Sequence, residues 1–156
     1  MLVLMELHLF EEVAVAVRGM VPPDLGELRY RAHRQGIKIW FGSDRPEREH
    51  YEAQVIKAKY VEGAGSLGLE VGFHAEHPVV ADNDKVIDHL LRHEDRWRKR
   101  LGAEAIVGPF LGRAEVWRRV SEAWPDPDLG DGDLAIEIAV RLSDYVDAIE
   151  SVRRER

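Results

Sequence analysis

The run His74-Ala75-Glu76-His77 sets three imidazole or carboxylate side chains within four residues. Both groups ligate divalent metal ions, and imidazole also moves protons near neutral pH. On a strand, residues two apart share a face, so His74 and Glu76 project one way and His77 the other. That strand supplies two ligands, where zinc takes three or four. His89 and His93 stand one helical turn apart, a spacing that can clamp a metal ion. They flank Arg96 and Arg100, whose charges oppose a cation. A composite site of His74, Glu76, His89 and His93 requires their helix to cross the polar face of a sheet. Its apolar stripe directs it to the other face instead. A metal-dependent hydrolase built on this His/Glu cluster is therefore the alternative reading, and the leading one involves no catalysis and no cofactor.

Other motifs carry less. Gly63-Ala64-Gly65-Ser66-Leu67-Gly68 matches G-x-G-x-x-G. A pyrophosphate site of that kind needs a helix after the glycines, and the alternation from Leu69 to Ala75 predicts a strand. Ser66 lacks the preceding glycine of a nucleophile elbow, because Ala64 stands there. From Asp126 to Glu137 the spacing of first, third and twelfth ligands suits a calcium loop, but Asp131 occupies the position that needs glycine and Gly130 one that needs a ligand. An acidic turn with Asp131 or Asp133 capping the last helix is the simpler expectation. No Asp-x-Lys or Glu-x-Lys triplet accompanies Glu52 and Lys57, which removes one common nuclease pattern. Glu70 and Glu76 as an acid–base pair is a weak signal, since carboxylates are common on sheets.

Charge bears on partners. The net charge of −7 argues against nucleic acid, whose binding rests on neutralising phosphates. Arg96-Trp97-Arg98-Lys99-Arg100 is a local basic run, but Trp97 falls on the buried stripe. Its expected counterpart is the acidic region Ser121–Ser151, in the same chain or in a second copy. Cysteine is absent, so disulfides, thiol nucleophiles and thiolate metal sites are excluded. The absence also suits a reducing cytoplasm. Threonine is absent, asparagine occurs once and glutamine twice, while arginine outnumbers lysine 17 to 5, a bias expected of heat-adapted or GC-rich hosts. The opening Met1–Glu6 has no basic leader and no cleavage site, so it is not read as a signal peptide. No run of 18 apolar residues predicts a membrane span.

The elements that must position these residues follow from periodicity. Residues 2–20 read as a helix, with paired strands as the rival. Residues 27–42 read as a hairpin, followed by a loop over Gly42–Pro46. Residues 50–61 read as a strand whose faces are ambiguous, and Leu69–Ala75 as a clear one. A helix over 84–101 capped by Asp82 or Asn83, an edge strand over 103–110, a helix over 113–124 and a helix over 133–153 complete the chain. The last has an acidic start and a basic end at Arg153, Arg154 and Arg156.

One domain, 1–156, results: a two-layer α+β fold with an antiparallel meander of about four to five strands, packed on one face by three to four helices. The polar sheet face gathers Arg29, Arg31, His33, Lys38, Trp40, Glu70, His74 and Glu76. A tryptophan among mixed charges makes that face the candidate binding surface. The expectation is a cytoplasmic module that binds a second copy, another protein or a small ligand through it, with no membrane partner.

Overall fold

Period-two segments in the first half of the chain pair as antiparallel ribbons. The computed structural model describes residues 2–43, 47–112 and 114–153, with side chains described from His8 onward at the amino end. Residues 44–46 of the expected Gly42–Pro46 loop, Arg113 at the start of an expected helix, and Arg154 and Arg156 lie outside the described residues. In chain order the elements are α1 (Leu2–Arg18), β1 (Leu28–His33), β2 (Gly36–Phe41), β3 (Glu49–Lys57), β4 (Leu67–Ala75), α2 (Val80–Arg92), α3 (Glu94–Leu101), β5 (Ile106–Pro109), β6 (Arg118–Pro125) and α4 (Leu134–Arg153). The six strands form one antiparallel sheet in the order β1-β2-β3-β4-β6-β5. The α+β expectation holds, with one strand more than its upper bound.

The meander runs through β4. The chain then leaves through α2 and α3, lays β5 on the outer edge and returns β6 between β5 and β4. One face of the sheet presents Ile37, Ile39, Tyr51, Ala53, Leu69, Val71, Phe73 and Val120, all buried. Against it lie Phe10, Val13 and Val17 of α1 and Ile138, Leu142, Tyr145 and Ile149 of α4, also buried. Each large side chain of this kind contributes roughly 1.5–3 kcal/mol by leaving water. No described helix is long and apolar enough to cross a membrane.

Two expectations need correction. The predicted helix over 113–124 is the strand β6 from Arg118 onward. Val116, Val120 and Trp124 repeat every four residues, a step that a helix and a strand face share. As an interior strand β6 is buried on both sides through Arg119–Glu122, and Glu122 on its helix-facing side, bonded by Tyr145 and Arg141, breaks the alternation of polar and apolar residues. The predicted helix over 84–101 is two helices broken at His93. Asn83 does not cap. It lies inside α2, fully buried, and its amide donates to the carbonyls of His77 and Val116 while its oxygen accepts from the His77 amide.

Two of the basic side chains of α3 are paired within the chain. Trp97 is buried and donates to the Leu90 carbonyl. Arg98 pairs with Glu94, and Arg100 reaches Asp144 and Asp147 of α4 at 3.4 and 2.9 Å.

Candidate metal centre

The second face of the sheet carries charge instead of hydrocarbon. In β3, Tyr51 and Ala53 turn to the helices, so His50, Glu52 and Gln54 turn away. In β4, Leu69, Val71 and Phe73 turn to the helices, so Glu70 and His74 turn away, and Glu76, one residue past the strand, joins them. The register sets His50 directly opposite His74 and Gln54 opposite Glu70. Glu52 lies opposite Gly72, which has no side chain to compete for the space. A Cβ at Gly72 would also stand 2.5 Å from the Val120 carbonyl oxygen and from Ser121 Cβ, so glycine lets β4 and β6 close up there.

His50, Glu52, His74 and Glu76 converge. His50 Nε2 lies 3.0 Å from Glu52 Oε1 and 3.4 Å from Glu76 Oε2. His74 Nδ1 lies 3.2 Å from the same Glu52 oxygen and 3.0 Å from the same Glu76 oxygen. One ligand atom from each of the four lies within 4.8 Å of all the others. Donors ~2.0–2.2 Å from a zinc-sized ion stand about 2.8–3.6 Å apart when they subtend roughly 90–110° at it, which brackets all four nitrogen–oxygen separations.

The outward ring nitrogens are also engaged. His50 Nδ1 is 2.8 Å from the Glu47 carbonyl oxygen, an acceptor, so the proton sits on Nδ1 and a neutral ring turns its Nε2 lone pair inward. His74 Nε2 is 2.9 Å from Glu70 Oε2, which turns its Nδ1 lone pair inward by the same logic. Glu70 is fixed in turn by the Ser121 hydroxyl at 2.6 Å and the Gln54 amide at 2.8 Å. Ser121 itself accepts from Arg119 Nη1 at 2.9 Å. Carboxylate–imidazole pairs of this kind orient metal-binding histidines.

The electrostatics favour positive charge. Burial works against a charged His74, but Glu70 and Glu52 raise its pKa well above the usual histidine value. His50 rises for the same reason, with Glu52 and Glu76 outweighing burial. Burial favours the neutral acid at Glu52, yet His74 and His50 pull its pKa down to about 2. Glu76 and Glu70 are lowered likewise, against burial, by the imidazoles beside them.

Of the sequence-derived site residues, the structure brings His74 and Glu76 together with Glu70, and Lys38 reaches Glu76 Oε1 at 3.4 Å. The expected open face is closed at its centre: Glu70 and His74 are 0% exposed, Trp40 5% and Glu76 6%. The Phe110 ring covers His74 at 5.1 Å between centroids, and Trp117 backs Phe110. Trp40 is no exposed anchor. It is buried, donates to the Ser43 carbonyl, and with His50 helps to wall a cavity of about 240 Å³ that includes neither His74 nor Glu76. Arg29 lies half-buried near Glu27, and Arg31 and His33 are exposed on the edge strand β1. His89 and His93 do not join the cluster. Their rings meet edge to face in the helical layer, and His89 bonds the Val152 carbonyl of α4.

His50 and Glu52 are the members of the cluster that the sequence reading did not place there. Their signal is a repeat, because His50-Tyr51-Glu52 has the spacing of His74-Ala75-Glu76. Meanwhile the two decoy motifs bind each other. Both oxygens of Asp126 accept from the amides of Gly65, Ser66 and Leu67, so the glycine loop cradles a carboxylate of its own chain. Asp128 and Asp131 accept from Gly130 and Asp133 in local turns, the second at the start of α4.

The fold and site define an α+β protein with a buried cluster of two histidines and two glutamates on one face of its sheet. Comparison with family models, with curated proteins and with solved structures finds no match.

Proposed function

We propose that the protein binds a divalent first-row transition ion, zinc foremost, through His50 Nε2, Glu52, His74 Nδ1 and Glu76. One observation carries the reading: both histidines have their outer nitrogen bonded to an acceptor, so each ring, on giving up its inner proton to an ion, aims its inner lone pair at the point where the carboxylates meet. Without an ion, two inward nitrogens share two oxygens in a closed circuit of four contacts. One proton per ring serves one contact well and leaves the other poor. A dication at the centre satisfies all four.

Two imidazoles and two carboxylates without thiolate suit zinc, manganese, iron or cobalt. Such an ion lowers the pKa of bound water and polarises a carbonyl or phosphoryl oxygen, so hydrolysis is the reaction class that the centre supports.

The test is metal content after purification, followed by reconstitution of the chelated protein with each ion. One equivalent of tightly held ion is expected. His50→Ala and His74→Ala should each abolish loading, Glu52→Gln should weaken it without unfolding the chain, and His89→Ala should load normally. Failure of all these ions to bind in the micromolar range overturns the reading.

A further inference from the structure

We propose that the loaded centre takes an oxyanion ligand, a phosphate or carboxylate group, which bridges the ion to Lys38 and Arg31. This rests on the metal reading above. His50, Glu52, His74 and Glu76 all rise from one face of two adjacent strands. Phe110 covers the cluster at His74, so the coordination positions these residues leave unfilled are those on the β2 side, toward the partly exposed Lys38.

On the β2 side, Lys38 stands directly opposite Glu52. Its Nζ touches Glu76 Oε1 at 3.4 Å, and the side chain is 30% exposed, so it marks the border between the cage and solvent. One strand further out, Arg31 stands opposite Lys38. It is exposed and has no ion pair or hydrogen bond among the described residues.

Charge balance gives the sign of the ligand. The three carboxylates of the cluster, Glu52, Glu70 and Glu76, are matched in number by Lys38, Arg31 and the buried Arg119 beside Glu70. A dication then leaves this face with surplus positive charge, and an oxyanion neutralises it. Lysine and arginine are the side chains that hold phosphate and carboxylate groups in proteins.

The experiment loads the full chain with cobalt(II), whose visible spectrum reports its coordination, and titrates it with inorganic phosphate and, in a parallel arm, with acetate. A saturable spectral change in either arm is expected, and the tighter arm names the oxyanion class. Arg31→Met should weaken that binding about tenfold while cobalt affinity stays within a factor of about two, and Lys38→Met should weaken it further. Cobalt uptake with a spectrum indifferent to both anions overturns this proposal and leaves the metal reading standing. So does anion affinity unchanged in both variants. No cobalt uptake overturns the two together.

Discussion

An imidazole has two nitrogens, and at His50 and His74 the outer one decides what the inner one offers. Glu70 is the clearest case, since it touches no other residue of the cage and still fixes the His74 ring. Glu70→Gln should lower metal affinity roughly ten- to a hundredfold, read by competition with a chromophoric chelator, while circular dichroism stays unchanged. Asp126 fixes the β3–β4 loop in a comparable way. Its pKa lies below the usual aspartate value because the Gly65, Ser66 and Leu67 amides and the Ser66 hydroxyl hold the carboxylate ionised. A depressed carboxyl pKa contributes stability that is present above the unfolded pKa of ~3.9 and is lost as pH falls below it. Asp126→Asn should therefore melt below the wild type at pH 7, and the gap should shrink as pH falls below about 4. At this scale the sequence revealed His74, Glu76 and Glu70 but not His50 and Glu52. Apolar residues at Val55 and Ile56 fall on both faces of β3 and hide which face its histidine takes.

Strands β3 and β4 meet the demands of both faces, hydrocarbon toward the helices and the His/Glu cluster toward Phe110. Gly72 is the hinge of that arrangement, because it admits β6 on one side and leaves room for Glu52 on the other. Gly72→Val should destabilise the fold by about 1–3 kcal/mol or more, measured by urea denaturation, since backbone and not a flexible tip meets the new Cβ. The elements whose two sides differ in polarity were legible: α1, α4, the β1–β2 hairpin and β4 follow their periodicity, β4 even though both its faces are buried. β6 was not, because Glu122 sits on its helix-facing side, held by Tyr145 and Arg141, so polar and apolar residues do not alternate along it. The break at His93 was equally hidden, as the apolar stripe of α2 resumes at Trp97 and Leu101.

Across the whole molecule, the ion and the sheet should be coupled, because the cage ties β3 to β4 at the middle of the sheet. Free zinc at a hundredfold above its dissociation constant should add about 2.7 kcal/mol to stability, or roughly 5–10 °C in melting temperature for a chain of this length, and chelator should reverse it. A melting curve indifferent to both would count against a native-state site. The surface pairs of Arg100 with Asp144 and Asp147 belong to the same scale but contribute little, about 1 kcal/mol or less each. The sequence by itself determined the class of the fold, the acidic balance, the absence of thiol chemistry and the failure of the glycine and calcium motifs, because composition and local periodicity govern all of these. Tertiary structure alone decided that His50 faces His74 and that the polar face is closed over by Phe110. Those outcomes depend on strand register and chain crossing, which join residues far apart in sequence and leave no local trace.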